Sequence, residues 1–152
     1  MTSSRMIVLL LFLGLVMGGG LAIGYVTRPG DWYLQLAKPA FNPPGWVFGP
    51  VWTVLYIMIA VVGWRLWYAA EAGTAHALWW LQLALNFSWS PAFFAAHQIG
   101  LALAIIVLLL ITILAMIALT WRQDRISALL LLPYAVWVAF ATALNAAIFQ
   151  LN

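Results

Sequence analysis

The stretch Ile99-Gly-Leu-Ala-Leu-Ala-Ile-Ile-Val-Leu-Leu-Leu-Ile-Thr-Ile-Leu-Ala-Met-Ile-Ala-Leu-Thr-Trp121 decides the fold class of this chain, because it contains no charged side chain. An α-helix needs about 20 predominantly apolar residues to cross the hydrocarbon core of a membrane. An uninterrupted apolar run of this length therefore predicts a membrane-spanning helix.

Four more apolar segments accompany this stretch along the chain. The five are segment I (Met6–Val26), segment II (Val47–Tyr68), segment III (Ala75–Ala96), segment IV (Ile99–Trp121) and segment V (Ala128–Leu151). Segment I is longer than the apolar region of a secretory signal, so we expect it to be retained. Three of the connections are short, so we expect segments II and III, III and IV, and IV and V to be antiparallel neighbours.

The composition of the whole chain agrees with a membrane protein. Of the 152 residues, 67% are hydrophobic and 6% are charged. A soluble domain carries about a quarter charged residues, and the strands of a membrane β-barrel alternate apolar and polar residues. We therefore expect an all-α, five-helix transmembrane bundle that forms a single domain over residues 1–152.

The connection between segments I and II is long and unusual in composition. It runs from Thr27 to Trp46 and contains four of the seven prolines. It also contains Trp32 and Trp46, and disordered loops are poor in aromatic residues. Two hypotheses remain open: the loop packs as a lid over one end of the bundle, or its aromatic side chains anchor it at the membrane interface.

Charged residues lie almost entirely at the ends of the segments. The basic residues on the side of the N-terminus are Arg5, Arg65, Arg122 and Arg125, and those on the other side are Arg28 and Lys38. This bias places the N-terminus inside and the long loop outside. A net charge of +3 is too small to indicate a nucleic-acid partner. We expect Arg65 to extend toward the lipid headgroups.

No arrangement typical of an enzyme or a pump is visible. The acidic residues Asp31, Glu71 and Asp124 are isolated in loops, and no charged side chain lies in the middle of a segment. His76 and His97 flank segment III, about 30 Å apart along a helix, so they cannot bind one metal ion. The sequence therefore predicts no catalytic residue, no metal site and no obligatory cofactor.

Polar and aromatic residues share helix faces in three segments. The faces are Trp52 with Tyr56 in segment II, Asn86 with Trp89 and Phe93 in segment III, and Tyr134 with Trp137, Ala141 and Asn145 in segment V. An asparagine is costly in hydrocarbon unless it faces protein or a polar cavity, so these faces point inward. Two hypotheses remain: each asparagine bonds a neighbouring helix in a packed core, or the faces line a pocket for a flat, apolar ligand.

Segment I also carries glycines at spacings that permit close helix contact. These are Gly14 with Gly18 and Gly20 with Gly24. Small residues four positions apart let two backbones approach closely. We expect the contact to lie within the chain rather than between subunits.

Three ordered blocks of sequence resemble a known family. They are Trp32-Tyr-Leu-Gln-Leu-Ala-Lys-Pro-Ala-Phe-Asn-Pro-Pro-Gly-Trp-Val-Phe-Gly-Pro-Val-Trp-Thr-Val-Leu-Tyr56, Leu85-Asn-Phe-Ser-Trp-Ser-Pro-Ala-Phe-Phe94, and Pro133-Tyr-Ala-Val-Trp137 followed by Leu144-Asn145. The chain resembles the translocator protein family, also called tryptophan-rich sensory proteins or peripheral-type benzodiazepine receptors, and is similar to it over essentially its whole length.

The resemblance implies an integral membrane sensor or regulator that binds a tetrapyrrole such as protoporphyrin IX or a haem-like porphyrin. It implies a ligand site lined by Trp52, Tyr56, Asn86, Trp89, Phe93, Trp137 and Ala141, with Trp32 and Trp46 in the lid. With Tyr134 and Asn145 from the inward faces, these are the candidate binding residues. The alternatives are a light- and oxygen-dependent porphyrin-degrading enzyme and a transporter of tetrapyrroles or lipids.

The resemblance also implies a homodimer in a bacterial membrane, with the inner membrane favoured, and sterol-like or isoquinoline and benzodiazepine ligands. Two positions depart from the family. No basic residue follows Tyr134, which argues against the sterol-recognition pattern of the last helix. Position 40 is Ala, where some members have Trp, so one aromatic contact in the lid is missing.

Overall fold

The fold is all-helical, as the composition predicts. The computed structural model of the protein describes residues 3–69 and 73–152. In this part of the chain the α-helices are α1 (Ser3–Val26), α2 (Asp31–Gln35), α3 (Phe48–Trp67), α4 (Gly73–Ser90), α5 (Ile99–Gln123) and α6 (Arg125–Leu151). A 3₁₀ turn, Gly45–Val47, precedes α3, and a π-helical turn, Pro91–Ala95, follows α4. The described residues therefore contain six helices instead of five, because the short α2 forms inside the long loop.

Four of the described helical stretches are long and apolar enough to cross a membrane. They are Ser3–Val26, Gly45–Trp67, Ile99–Gln123 and Arg125–Leu151. Helix α4 is not among them, since His76, Gln82 and Asn86 lower the hydropathy of its 18 residues. The composition of the described helices therefore supports four spans, one fewer than the sequence predicts.

The long helices pack as a closed ring in the order α1, α3, α6, α5, α4. The most extensive contacts join α5 to α6, α4 to α5, and α1 to α3. Helices α3 and α4 meet at few positions, because α3 lies between α1 and α6. Segments III and IV, and IV and V, are therefore extensively packed neighbours, as expected, whereas segments II and III contact each other at fewer positions.

Proline and histidine shape the end of α4. Proline has no backbone N–H, so it interrupts the regular hydrogen-bond ladder of a helix. At Pro91 the chain widens into the π-helical turn, and the N–H of Ala96 donates to the carbonyl of Pro91 at 2.9 Å. His97 then takes a left-handed backbone conformation with φ of 56°, which ends the helix and redirects the chain into α5.

An ion pair joins the C-terminal end of α3 to the C-terminal end of α5. The guanidinium of Arg65 donates two hydrogen bonds to the carboxylate of Asp124, at 2.9 and 2.7 Å. Asp124 also caps the N-terminus of α6 by accepting from the backbone N–H of Ser127, as an aspartate at this position is expected to do. Two expectations are thus wrong: Asp124 is not isolated, and Arg65 does not simply extend to the headgroups. Glu71 lies outside the described residues.

The charge of Asp124 depends on these partners. Burial alone would raise the pKa of Asp124, but hydrogen bonds from Arg65 and Ser127 hold that pKa below its ordinary value of 3.8. The carboxylate is therefore ionised at neutral pH and stabilises the turn between α5 and α6.

Close helix contact within the chain occurs at only part of the glycine pattern in α1. A Cβ built at Gly20 would lie 2.2 Å from the ring of Tyr56, and one at Gly19 would lie 2.6 Å from the ring of Phe87. A Cβ at Gly14, Gly18 or Gly24 would meet no atom of the described residues within 4 Å. The expectation of contact within the chain is therefore wrong for Gly14, Gly18 and Gly24.

Candidate functional site

A hydrogen-bonded network connects three helices inside the bundle. The hydroxyl of Tyr56 on α3 donates to Oδ1 of Asn86 on α4, at 3.3 Å. The amide nitrogen of Asn86 donates to the hydroxyl of Tyr134 on α6, at 2.8 Å, and that hydroxyl donates to Gln82 at 2.9 Å. Both Gln82 and Tyr134 are fully buried. Each hydroxyl and amide oxygen in the network is paired, which offsets much of the cost of burying them. The side-chain nitrogen of Gln82 is the exception, since it is buried and finds no hydrogen-bond partner among the described residues.

A second polar pair lies farther along the same helices. The indole N–H of Trp89 donates to Oδ1 of Asn145 at 3.0 Å, and the amide nitrogen of Asn145 donates to the carbonyl of Ile99 at 3.1 Å. Both asparagines therefore bond neighbouring helices, as the packed-core hypothesis states. They also hold the aromatic rings around them in position.

A small internal cavity adjoins the network. Its volume is about 30 Å³, and a site for one buried water needs about 10–15 Å³, so the cavity has room for one or two water molecules. The lining residues are Phe48, Trp52, Asn86, Trp89, Ile106, Leu109, Trp137, Val138 and Ala141. Three indole rings from three helices thus surround one space, as the pocket hypothesis requires, but a flat ring ligand needs a cavity of about 300 Å³ or more.

The remaining candidate residues lie around this cavity rather than on its wall. Tyr56 and Tyr134 hold Asn86 from two sides, and Asn145 holds Trp89. The ring of Phe93 stacks on Trp89, with centroids 5.4 Å apart. The structure therefore brings these four residues next to the cavity without exposing them to it.

The long loop packs on the bundle through several rings in its first half and through Phe41, which meets Phe140 edge-on at 6.2 Å. Trp32 stacks on the His97 ring, with centroids 4.1 Å apart, and meets Phe93 edge-on at 5.9 Å. Tyr33 meets the ring of Phe94 at 5.3 Å. In contrast, the side chain of Trp46 is 76% exposed. Of the two tryptophans expected in the lid, only Trp32 packs against residues next to the cavity.

The loop is also tied to the C-terminus. The backbone N–H of Ala37 donates to the side chain of Asn152, which donates back to the carbonyl of Ala37, both at 3.0 Å. Burial raises the pKa of the Tyr33 hydroxyl above its ordinary value of 10.0, against the opposing effect of its hydrogen bond to Asn42. Tyr33 is therefore neutral at physiological pH and packs as an uncharged aromatic residue.

Several residues at the site escaped the sequence analysis. Gln82 precedes Asn86 by four positions, so its place on the same helix face could have been predicted. Phe48 lies inside the first of the three family-like blocks, but at the start of α3, where no helix periodicity distinguishes it. Ile106 and Leu109 sit in α5, where the only contrast between residue types within the apolar run is the weak one of Thr112 and Thr120, both of which are buried.

The site holds aromatic rings and amides but no acid–base pair. In the described ranges, no group of three or more His, Asp or Glu side chains could hold a metal ion. His76 and His97 lie at opposite ends of α4 and its π-helical turn. The chemistry that this arrangement can supply is stacking and hydrogen bonding to a ligand.

Known proteins match this chain over most of its length. The sequence profile of the TspO/MBR family matches residues 10–151. The chain is 39% identical over 153 residues to the Tryptophan-rich protein TspO of Chlorobaculum tepidum, covering 94% of this chain and 97% of that protein. It is 36% identical over 135 residues to Protein CrtK of Rhodobacter capsulatus, covering 86% and 84%. It is 39% identical over 127 residues to the Translocator protein of Homo sapiens, covering 80% and 75%. The chain therefore belongs to the TspO/MBR family of multi-pass membrane proteins.

Proposed function

We propose that this protein is a membrane sensor or regulator that binds a tetrapyrrole between its helices. The observation that carries the proposal is the convergence of Trp52, Trp89 and Trp137 with Asn86 on one internal cavity. Indole rings stack on flat ring systems through their faces, and an amide fixes the orientation of a ligand. The porphyrin class itself comes from the family resemblance of the three sequence blocks.

Ligand binding must enlarge the cavity, because about 30 Å³ cannot hold a porphyrin. We propose that the loop acts as the lid of this pocket. Trp32 contacts Phe93, and Phe93 stacks on the cavity residue Trp89. A ligand that displaces Trp89 would therefore also change the position of the loop, because two ring contacts connect them. A sensor needs such coupling between its ligand site and another part of the protein.

We also propose that α4 completes a five-span bundle. Helix α4 is less apolar than the other long helices because it contains Gln82 and Asn86. Both of these polar residues are buried in the hydrogen-bonded network. A spanning helix accepts such residues when they face protein. On this proposal the N-terminus lies on the inner side of a bacterial inner membrane, and two chains form a homodimer.

Titration with protoporphyrin IX tests the proposed function. Purified protein in detergent is expected to shift the main absorption band of the porphyrin saturably. Trp52→Ala and Trp137→Ala each remove one stacking ring, worth about 1.5 kcal/mol, so each should weaken binding about tenfold. If both variants bind as tightly as the parent, the ligand does not occupy this cavity.

Trp121→Ala serves as the matched control for these variants. Trp121 is 42% exposed and lies under Arg125. It follows the cavity residue Leu109 by twelve positions on α5, a distance of about 18 Å along the helix axis. Its removal should leave porphyrin affinity unchanged, because the ring is remote from the cavity.

A porphyrin-degrading enzyme is the second candidate, favoured by the same three oxidisable indoles. Illumination in oxygen separates the two functions. Repeated loss of porphyrin by each protein molecule would indicate catalysis, whereas loss of at most one porphyrin per protein would indicate photodamage to a binding protein.

A further inference from the structure

A second, larger space lies on the outside of the bundle between α3 and α6. Its volume is about 660 Å³, and its walls include Val51 and Val54 on one side and Val136 and Phe140 on the other. Val54 is 51% exposed and Val136 is 71% exposed. Because both helices are long and apolar enough to span a membrane, this α3–α6 groove opens toward the lipid.

The side chain of Trp137 separates the α3–α6 groove from the internal cavity. Trp137 lines both spaces. The groove is large enough for a small-molecule ligand, whose sites typically measure about 300–1,000 Å³, but the cavity behind Trp137 is not. Movement of this one ring would join the two spaces.

Trp137 is less firmly held than the tryptophan on the opposite wall. Its indole N–H finds no hydrogen-bond partner among the described residues, whereas the N–H of Trp89 is bonded to Asn145 at 3.0 Å. Rotation of Trp137 therefore breaks no hydrogen bond in this part of the chain. Its ring contacts are edge-on to Phe48 at 5.7 Å and tilted to Phe140 at 5.6 Å.

The backbone one turn before Trp137 is weakened as well. Pro133 lies inside α6, four residues before Trp137, and lines the groove. A proline within a helix removes one backbone hydrogen bond and displaces the carbonyl four residues earlier. The missing bond is the one to the carbonyl of Leu129, so α6 can bend just before the turn that carries Trp137 at lower cost than a regular helix.

We propose that the α3–α6 groove is a membrane-facing entrance site for a flat, apolar ring compound, and that Trp137 is the gate between this site and the internal pocket. The occupant is a ligand dissolved in the bilayer, because every wall residue named here is apolar and the groove opens where hydrocarbon surrounds the protein. The proposal rests on the proposed function, since it supplies the route by which that ligand reaches the cavity.

Plugging the groove tests this route. Val54→Trp and Val136→Trp each add a large ring from opposite walls, and both side chains point to open space. Association and dissociation of protoporphyrin IX are measured by stopped-flow absorbance with the protein in phosphatidylcholine vesicles. Both rates should fall by about the same factor, near tenfold for an added barrier of 1.4 kcal/mol, while the equilibrium Kd stays unchanged.

Leu108→Trp is the matched control, since Leu108 is 53% exposed on α5 and does not line the groove. Its rates should equal those of the parent. Unchanged rates in both plugged variants would overturn the entrance site while leaving the proposed function intact. A weaker Kd with an unchanged dissociation rate would overturn it too, because a barrier on the route slows both directions. Absence of saturable binding by the parent would refute the proposed function itself and the route with it.

Discussion

Replacing Gly20 by alanine tests how closely α1 packs against the ring of Tyr56. A Cβ at this position would lie 2.2, 2.5 and 2.9 Å from three ring carbons of Tyr56. Since real Cβ atoms essentially never approach carbon so closely, the ring or the helix must move. Tyr56 in turn donates the hydrogen bond to Asn86, so a displaced ring also loosens the polar network.

The expected change in the free energy of unfolding follows from two opposing effects. Overpacking a well-filled core costs about 1–3 kcal/mol. Alanine is favoured over glycine within a helix by about 1 kcal/mol. Gly18→Ala provides the second effect without the first, because a Cβ at Gly18 meets nothing within 4 Å in the described residues. We therefore expect Gly20→Ala to be less stable than Gly18→Ala by about 1–3 kcal/mol.

Unfolding in detergent micelles, followed by far-ultraviolet circular dichroism, measures this difference. In a background of Tyr56→Ala, which removes the ring, Gly20→Ala should lose most of its penalty, so the two substitutions are coupled. The reasoning would be refuted if Gly20→Ala were as stable as Gly18→Ala, or if its penalty persisted without the ring.

Other expectations concern the ion pair, the network and the loop. Asp124→Asn should destabilise the protein by about 1–2 kcal/mol, between the values for exposed and buried pairs, as measured by unfolding at neutral pH. Because the pKa of Asp124 lies below 3.8 in the folded protein, this stabilisation should be complete above that pH and disappear as the pH falls through the folded pKa. The parent should show this acid-dependent loss and Arg65→Ala should show less of it, because only the hydrogen bonds from Ser127 then remain to lower the pKa of Asp124. Asn86→Leu removes two side-chain hydrogen bonds, each worth about 0.6–1.7 kcal/mol in a membrane protein, and should therefore lower the free energy of unfolding. A loss of less than about 0.5 kcal/mol in the unfolding assay would show that these bonds do not stabilise the protein. Trp32→Ala should speed the release of bound protoporphyrin IX several-fold in stopped-flow measurements, whereas Trp46→Ala should not, because Trp46 is 76% exposed; equal release rates would argue against the lid.

Helical periodicity predicts the inward faces well where polar residues mark them. Asn86 and Asn145 are costly in hydrocarbon, and both do lie inside the bundle with hydrogen-bonded partners. The same argument fails for α5, whose apolar residues surround the whole helix. Ile106 and Leu109 line the cavity, and only the buried Thr112, three positions after Leu109, gives a weak signal for their face.

Contacts between distant positions were beyond prediction. Arg65 and Asp124 are 59 positions apart, and each lies at the end of an apolar segment where a solvated charge is equally expected. Their pairing depends on the helix order α1, α3, α6, α5, α4, which connection lengths alone did not indicate. For the same reason, short connections suggested that segments II and III are close neighbours, but α3 packs mainly on α1 and α6.

The sequence by itself determined the all-α membrane fold, the family and the inward direction of the asparagines, because hydropathy and the cost of a buried amide act on each helix separately. Only the tertiary structure decided the size of the cavity, the exposure of Trp46 and the position of Trp137 between the cavity and the α3–α6 groove. These depend on how far apart neighbouring helices lie and on which rotamer each ring adopts. Distances and rotamers of this kind result from the packing of all the helices together, and no single segment encodes them.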